Sequence, residues 1–96
     1  MPIGGLGLYR DTRDHRFIVS CYSSSYYAEN ITRKEAEERI ATAKEELNTL
    51  LRLFPELHDQ MHGLDTAFHF CYDTGKGGVL VAKEEHGQFQ YLKQAA

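Results

Sequence analysis

The sequence predicts an α+β domain in which one antiparallel sheet of about five strands packs, in two layers, against one long helix. Short segments rich in β-branched and aromatic residues lie before and after a single long heptad pattern of apolar residues. Turn-forming residues separate the short segments. The predicted order of elements is therefore ββ-α-βββ, and a sheet with the helix laid across one face buries both patterns.

Length and composition predict one domain over residues 1–96. A chain of 96 residues can bury a core without metal or disulfide staples. Its 42% hydrophobic and 26% charged residues are typical of a globular protein, and there is no apolar run long enough for a membrane span. Since the start of the sequence does not resemble a secretory signal, we expect a cytoplasmic protein with reduced cysteines and no membrane partner.

The first two strands are predicted to form a hairpin. Residues 6–10 form the first strand, and DTRDH supplies a polar turn. Residues 16–22, RFIVSCY, alternate so that Phe17, Val19 and Cys21 share one face, while the intervening side chains share the other.

The helix is predicted to begin at about Thr32. Thr32 and Glu35 have the spacing of a capping box. Pro55 removes a backbone donor, so we expect a kink there or a break followed by a short second helix, and Gly63 is a natural stop. The apolar heptad positions predicted to face the core are Ala36, Ile40, Ala43, Leu47, Leu50, Phe54, Leu57 and Met61.

Three further strands are predicted at residues 66–73, 78–85 and 88–94. The segment TGKGG separates the first two of them, and His86-Gly87 is suited to a two-residue hairpin between the last two. These strands should form an antiparallel meander.

Charge argues against nucleic acid as a partner. The formal net charge is −3 and the isoelectric point is near 5.9, whereas a protein that follows a phosphate backbone normally presents a basic stripe. The arginines Arg10, Arg13 and Arg16 alternate with Asp11 and Asp14 and indicate a solvated turn.

Four residues have a weak pattern of metal ligands. His58 and His62 stand four apart, and His69 and Cys71 stand two apart on a predicted strand. The alternative explanation is that the two helical histidines remain in water at a helix end, while His69 and Cys71 only follow the strand alternation. No closely spaced Cys or His pair repeats, so we expect no metal and no other cofactor.

No catalytic residue is predicted. Cys21 and Cys71 both fall in strands, where a thiol lacks the helix N-terminus that would lower its pKa. We therefore expect a protein that is not an enzyme.

A tyrosine- and serine-rich segment between the second strand and the helix is the predicted contact site for a partner. Tyr provides rigid amphipathic area and Ser provides adaptable hydrogen bonds, a combination that binding loops favour. The alternative is that these tyrosines cover the sheet edge and the start of the helix. The predicted contact residues are Tyr22, Ser24, Ser25, Tyr26 and Tyr27.

These expectations favour a non-enzymatic protein-binding module. A domain of this size suits a small inhibitor, an immunity-type protein or a viral accessory protein of a phage, which blocks a larger partner. The alternative function is a small metal- or ligand-binding protein built around His58, His62, His69 and Cys71. A homodimer, formed through the helix or a sheet edge, is compatible with either function.

Overall fold

The computed structural model describes residues 6–24, 30–73 and 78–92, and for residues 23, 24, 73 and 78 it describes the backbone alone. The described residues form one compact α+β unit, and all five predicted strands are present. The elements are β1 (Leu6–Asp11), β2 (Arg16–Ser24), α1 (Arg33–Leu53), α2 (Leu57–Met61), β3 (Asp65–Asp73), β4 (Gly78–Glu85) and β5 (Gln88–Tyr91).

The five strands form one sheet in the order β1-β2-β3-β4-β5. Three of the four neighbouring pairs are antiparallel, but β2 and β3 are parallel. The prediction of a wholly antiparallel sheet is therefore wrong, and the sheet is mixed. The cause is α1, which carries the chain from the end of β2 back to the level where β2 began, so that β3 can lie beside β2 in the same direction.

The start of α1 has the predicted capping box. Thr32 Oγ1 accepts a hydrogen bond from the Glu35 backbone N–H at 3.1 Å, and the Glu35 carboxylate accepts one from the Thr32 N–H at 3.1 Å. These bonds satisfy donors that the first helical turn leaves without intrahelical partners. The helix then buries Ala36, Ile40, Ala43 and Leu47.

The predicted row of apolar heptad positions is interrupted at the end of α1. The helix ends at Leu53, and Phe54 leaves the helical conformation, with φ −130° and ψ 80°. Proline disfavours the helical conformation in the residue before it, and Phe54 stands directly before Pro55. Phe54 is 50% exposed, although it was predicted to face the core, whereas Leu57 in α2 is buried again.

The core lies between α1 and one face of the sheet. Val19 from β2, Phe70 from β3 and Ile40 from the helix are each at most 1% exposed. The sheet residues of the core cluster are Phe17, Val19, Cys21, Phe68, Phe70, Val81 and Ala82.

The last two strands are joined by the predicted tight turn, in which His86 and Gly87 both have positive φ, 53° and 75°.

Candidate functional site

The sheet face that points away from α1 is the candidate site, and we call it the open face. Strand alternation assigns every second residue to it, and neither described helix packs against it. The residues of the open face that matter here are Gly7, Tyr9, Asp11, Arg16, Ile18, Ser20, Tyr22, Ala67, His69, Cys71, Lys83 and Glu85.

Two tyrosines stand on the open face on either side of Ser20. Tyr9 is 46% exposed, and its hydroxyl is 3.0 Å from Ser20 Oγ, within hydrogen-bonding distance. Tyr22 is 39% exposed, and its ring lies over Gly7, where an added Cβ would stand 3.6 Å from Tyr22 Cε2. Ser20 is itself fully buried, so a substrate could not reach its hydroxyl. The arrangement fixes two aromatic side chains while leaving much of each ring in contact with solvent.

A charge cluster lies at the other end of the open face. One oxygen of Glu85 lies 3.1 Å from Arg16 Nη1, 3.5 Å from Lys83 Nζ and 3.5 Å from His69 Nε2. Arg16 also donates through Nη2 to Asp11 at 3.0 Å. The cluster joins side chains from all four strands β1 to β4, and its charges are largely paired with one another.

The cluster changes the pKa of its members in directions that follow from these contacts. For Glu85, burial would raise the pKa, but Lys83 and Arg16 outweigh burial and the pKa is lowered. For Asp11, the hydrogen bond from Arg16 lowers the pKa. For His69, burial lowers the pKa despite the opposing effect of Glu85. Both carboxylates are therefore ionised at neutral pH, and burial favours a neutral imidazole.

His69 has a polar atom that the described residues leave unsatisfied. Its Nε2 is buried and makes no hydrogen bond within the described part of the chain, because the Glu85 contact lacks hydrogen-bond geometry. Arg16 Nε is likewise buried and makes no hydrogen bond within the described part of the chain. The histidine thus contributes shape and a weak electrostatic contact to the cluster rather than a fixed hydrogen bond.

The residues predicted to contact a partner are only partly described. Tyr22 lies on the open face, and its carbonyl accepts a hydrogen bond from Arg39 Nη2 at 3.2 Å. Ser24, of which only the backbone is described, is the last residue of β2. Ser25, Tyr26 and Tyr27 lie outside the described residues. The predicted segment therefore begins at the exposed ring of Tyr22.

The four residues with a metal-ligand pattern lie on different parts of the fold. His58 and His62 are exposed, in and just after α2, while His69 and Cys71 lie on the open face of β3. Within residues 6–24, 30–73 and 78–92, no group of three or more His, Cys, Asp or Glu side chains could hold a metal ion. The structure does not bring the four together.

Both cysteines carry unbridged thiols. Burial raises the pKa of Cys21 to about 11, and its Sγ donates a hydrogen bond to the carbonyl of His69 at 3.4 Å. Burial also raises the pKa of Cys71. A raised pKa keeps a thiol protonated and reduces its nucleophilicity. Cys21 belongs to the core cluster, whereas Cys71 is only partly buried on the open face.

Tyr9 and the charge cluster are the parts of the site that sequence reasoning missed. Tyr9 sits in the predicted first strand, and a hairpin closed by the turn at residues 12–15 places it opposite Ile18, on the face of Ser20 and Tyr22. The alternation of side chains in the predicted hairpin would have assigned Tyr9 to this face. The pairing of Arg16 with Glu85 spans 69 positions and has no local signal.

Comparisons of the chain with protein-family models, curated proteins and solved structures give no match. Neither α1 nor α2, the helices of the described part of the chain, combines the length and apolar character needed to cross a membrane.

Proposed function

We propose that this chain is a non-enzymatic protein-binding domain that contacts a partner protein through its open face and through the tyrosine- and serine-rich segment that follows Tyr22 in the sequence. One observation carries the proposal: Tyr9 and Tyr22 are 46% and 39% exposed, yet the sheet holds both in place. Fixed side chains lose little conformational entropy on binding, and Tyr is among the residues that dominate binding energy at interfaces.

The charges of the open face favour a protein as the partner. The cluster contains two carboxylates, on Asp11 and Glu85, against the cations of Arg16 and Lys83, and these charges pair within the chain. Asp14, in the turn before β2, also contacts Arg16. A face that is close to neutral has no surplus of positive charge for phosphates or an anionic membrane. It is suited to a protein surface with an apolar centre and hydrogen-bonding groups around it.

The finer proposal is that binding is itself the action of the protein. A domain of this size can cover the working surface of a larger protein, as small inhibitors, immunity-type proteins and phage accessory proteins do. Such a mode needs a rigid contact face and no catalytic group.

The test compares two variants as baits in the host that produces the protein. Tyr9→Ala/Tyr22→Ala alters the open face, and Glu38→Ala/Glu45→Ala is the matched control on the exposed side of α1. A partner that binds the open face should be retained by the wild type and by the control, and be lost with the tyrosine variant. Titration of that purified partner should show binding weakened by about 30-fold or more, which corresponds to about 2 kcal/mol.

A thermal melt of each variant excludes unfolding as the cause, and Tyr9→Phe, which keeps the ring, should bind almost as well as the wild type. Equal affinity of the folded tyrosine variant and the wild type would contradict the proposal. A loss of binding with Glu38→Ala/Glu45→Ala would instead place the contact on the helix.

A further inference from the structure

An apolar cleft lies beside β1 on the helix side of the sheet. Its volume is about 280 Å³, and Phe54 on its wall remains 50% exposed. Leu8 of β1 also lines the cleft and is only partly buried. The described residues that line the cleft are Leu8, Leu50, Phe54, Glu56, Leu57 and Gln60. Most of these side chains are apolar, so the cleft suits an apolar side chain as its occupant.

The residues just before β1 carry apolar side chains that can reach this cleft. Residues 1–5 have the sequence MPIGG, directly precede Leu6 at the start of β1, and lie outside the described residues. Leu8 is two positions beyond Leu6, or roughly 7 Å along a strand. A reversal of the chain directly before Leu6 would therefore carry Met1 and Ile3 back alongside β1 to the cleft.

Gly4 and Gly5 have the composition of such a reversal. A two-residue hairpin loop of type I′ needs positive φ at both central residues, and Gly-Gly is among the pairs that supply it. We infer that residues 1–3 turn back through Gly4-Gly5, pair antiparallel with β1 and cover the cleft. The register pairs Ile3 with Leu6, Pro2 with Gly7 and Met1 with Leu8.

This register directs the apolar side chains of the segment to the helix side. Leu6 and Leu8 both pack against the core cluster between the sheet and α1. Residues that lie directly opposite each other in a strand pair share a face, so Ile3 and Met1 share the face of Leu6 and Leu8. Met1 then lies at the cleft, and the flexible side chain of methionine is suited to filling an irregular apolar gap.

The position of Pro2 supports the same register. The two residues that flank a two-residue loop form a hydrogen-bonded pair, and the next pair is not hydrogen-bonded. Pro2 therefore falls where its missing N–H leaves no bond of the ladder unmade. Its partner Gly7 lies under the ring of Tyr22, since an added Cβ would stand 3.6 Å from Tyr22 Cε2. A slip by one residue would move Ile3 to the open face, away from the cleft.

The segment of this chain is favoured over a strand of another molecule as the occupant. Arg10 and Asp11 place charges on the second half of β1, and charged residues on an edge discourage pairing with a separate strand. The hairpin uses only the uncharged half, from Leu6 to Leu8. A segment joined to β1 by two residues is also held beside the edge, whereas a separate molecule must lose its translational freedom.

The test is nuclear magnetic resonance of the full chain alone, released from a fusion whose cleavage leaves Met1 as the first residue. The outcome does not depend on the proposed function, because no partner is present. The Cα atoms of a non-hydrogen-bonded pair stand about 4.5 Å apart, so a strong Overhauser contact should join the α-protons of Pro2 and Gly7. The methyl group of Met1 should contact Leu8 and Leu57.

Hydrogen exchange supplies the second measurement and has a control within the same strand. Alternate residues of a strand bond to the same neighbour, so the amides of Leu6, Leu8 and Arg10 point to the same edge. Only the first two lie within the proposed pairing. Their amides should exchange about tenfold or more slowly than that of Arg10.

Two variants of the turn separate the hairpin from other causes of protection. Gly5→Val places a β-branched residue where φ must be positive, and should remove the Pro2 contact and bring the exchange of Leu6 and Leu8 to the rate of Arg10. Gly4→Asn creates the favoured Asn-Gly turn sequence and should keep both signals. Circular dichroism verifies that both variants are folded.

Three results would overturn the inference. The first is a wild type without the Pro2–Gly7 contact. The second is an Arg10 amide protected as strongly as those of Leu6 and Leu8, and the third is a Gly5→Val variant that exchanges like the wild type.

Discussion

The two faces of β2 are both buried between Phe17 and Cys21, but they have different surroundings. On the helix side, Phe17, Val19 and Cys21 are at most 2% exposed and pack against α1. On the open face, Ile18 and Ser20 are at most 5% exposed although neither described helix covers them. Polar and aromatic side chains lie beside them on this face, including Tyr9, which bonds Ser20, and the cluster around Glu85. One face packs its apolar side chains against the helix, and the other carries polar and aromatic side chains, of which Tyr9 and Tyr22 are exposed.

This difference predicts where substitutions affect stability and where they affect binding. Apolar area removed from water contributes roughly 25 cal/mol per Å². Charge pairs at partly exposed positions contribute about 1 kcal/mol or less. The helix side should therefore dominate the free energy of unfolding, while the open face can change with less effect on the fold.

The largest effect is expected on the helix side. Leu47, in α1, is 5% exposed, and Leu47→Ala should lower the free energy of unfolding by about 2 to 5 kcal/mol, since it removes buried contacts and leaves a cavity. Leu53→Ala is a matched control on the same helix, at a residue that is 65% exposed, and should cost less than about 0.5 kcal/mol. Urea denaturation of both variants measures the difference. Equal losses would show that the helix face is not the main source of stability.

A smaller effect is expected in the charge cluster. Glu85→Gln removes the charge that Arg16 and Lys83 share, and should cost about 1 kcal/mol at neutral pH. Glu37→Gln makes the same chemical change in an exposed pair with Arg33 and should cost only a few tenths of a kcal/mol. Chemical denaturation at low and high salt checks this. A Glu85→Gln variant as stable as the wild type at low salt would show that the cluster contributes nothing to the fold.

The smallest effect is expected in the dependence of stability on pH. Burial lowers the pKa of His69 in the folded chain. As the pH falls, His69 therefore takes up a proton at a higher pH in the unfolded chain than in the folded chain. The contribution of His69 to stability is therefore complete above its unfolded pKa of about 6.5, and it is lost as the pH falls through the lowered folded pKa. His69→Gln should flatten the decline in melting temperature on acidification below about pH 6.5.

His62→Gln, at an exposed histidine, is the control for that experiment and should follow the wild-type curve. Glu85 and Asp11 also have lowered pKa values, so their contribution is lost at lower pH, as the pH falls from their unfolded values of about 4. Identical pH curves for His69→Gln and the wild type would show that the burial of His69 has no effect on its titration.

Features encoded by neighbouring residues could be predicted from the sequence. The capping box at Thr32 and Glu35 and the positive-φ turn at His86-Gly87 depend on adjacent positions, and the structure has both. The alternation of residues 16–22 likewise assigned Phe17, Val19 and Cys21 to the helix face of β2 and the side chains between and after them, from Ile18 to Tyr22, to the other face. These features follow from local backbone geometry, which does not depend on the neighbours that the fold brings together.

Features that depend on distant residues could not be predicted. A strand pattern does not encode the direction of its neighbour, so the parallel pairing of β2 with β3 was missed. The exposure of Phe54 follows from the chain leaving the helix before Pro55, although the heptad spacing continues through it. Glu85 meets Arg16 only after β2, β3 and β4 have assembled.

The most direct test of the open face as the binding surface is nuclear magnetic resonance mapping. An isotope-labelled chain is titrated with the partner that the tyrosine comparison identifies, and the backbone amides are followed. We expect the amides of Gly7, Tyr9, Ser20, Tyr22 and Cys71 to shift or broaden, while those of the exposed side of α1 around Glu38 and Glu45 do not. Changes confined to α1, with the open-face amides unmoved at saturation, would contradict it.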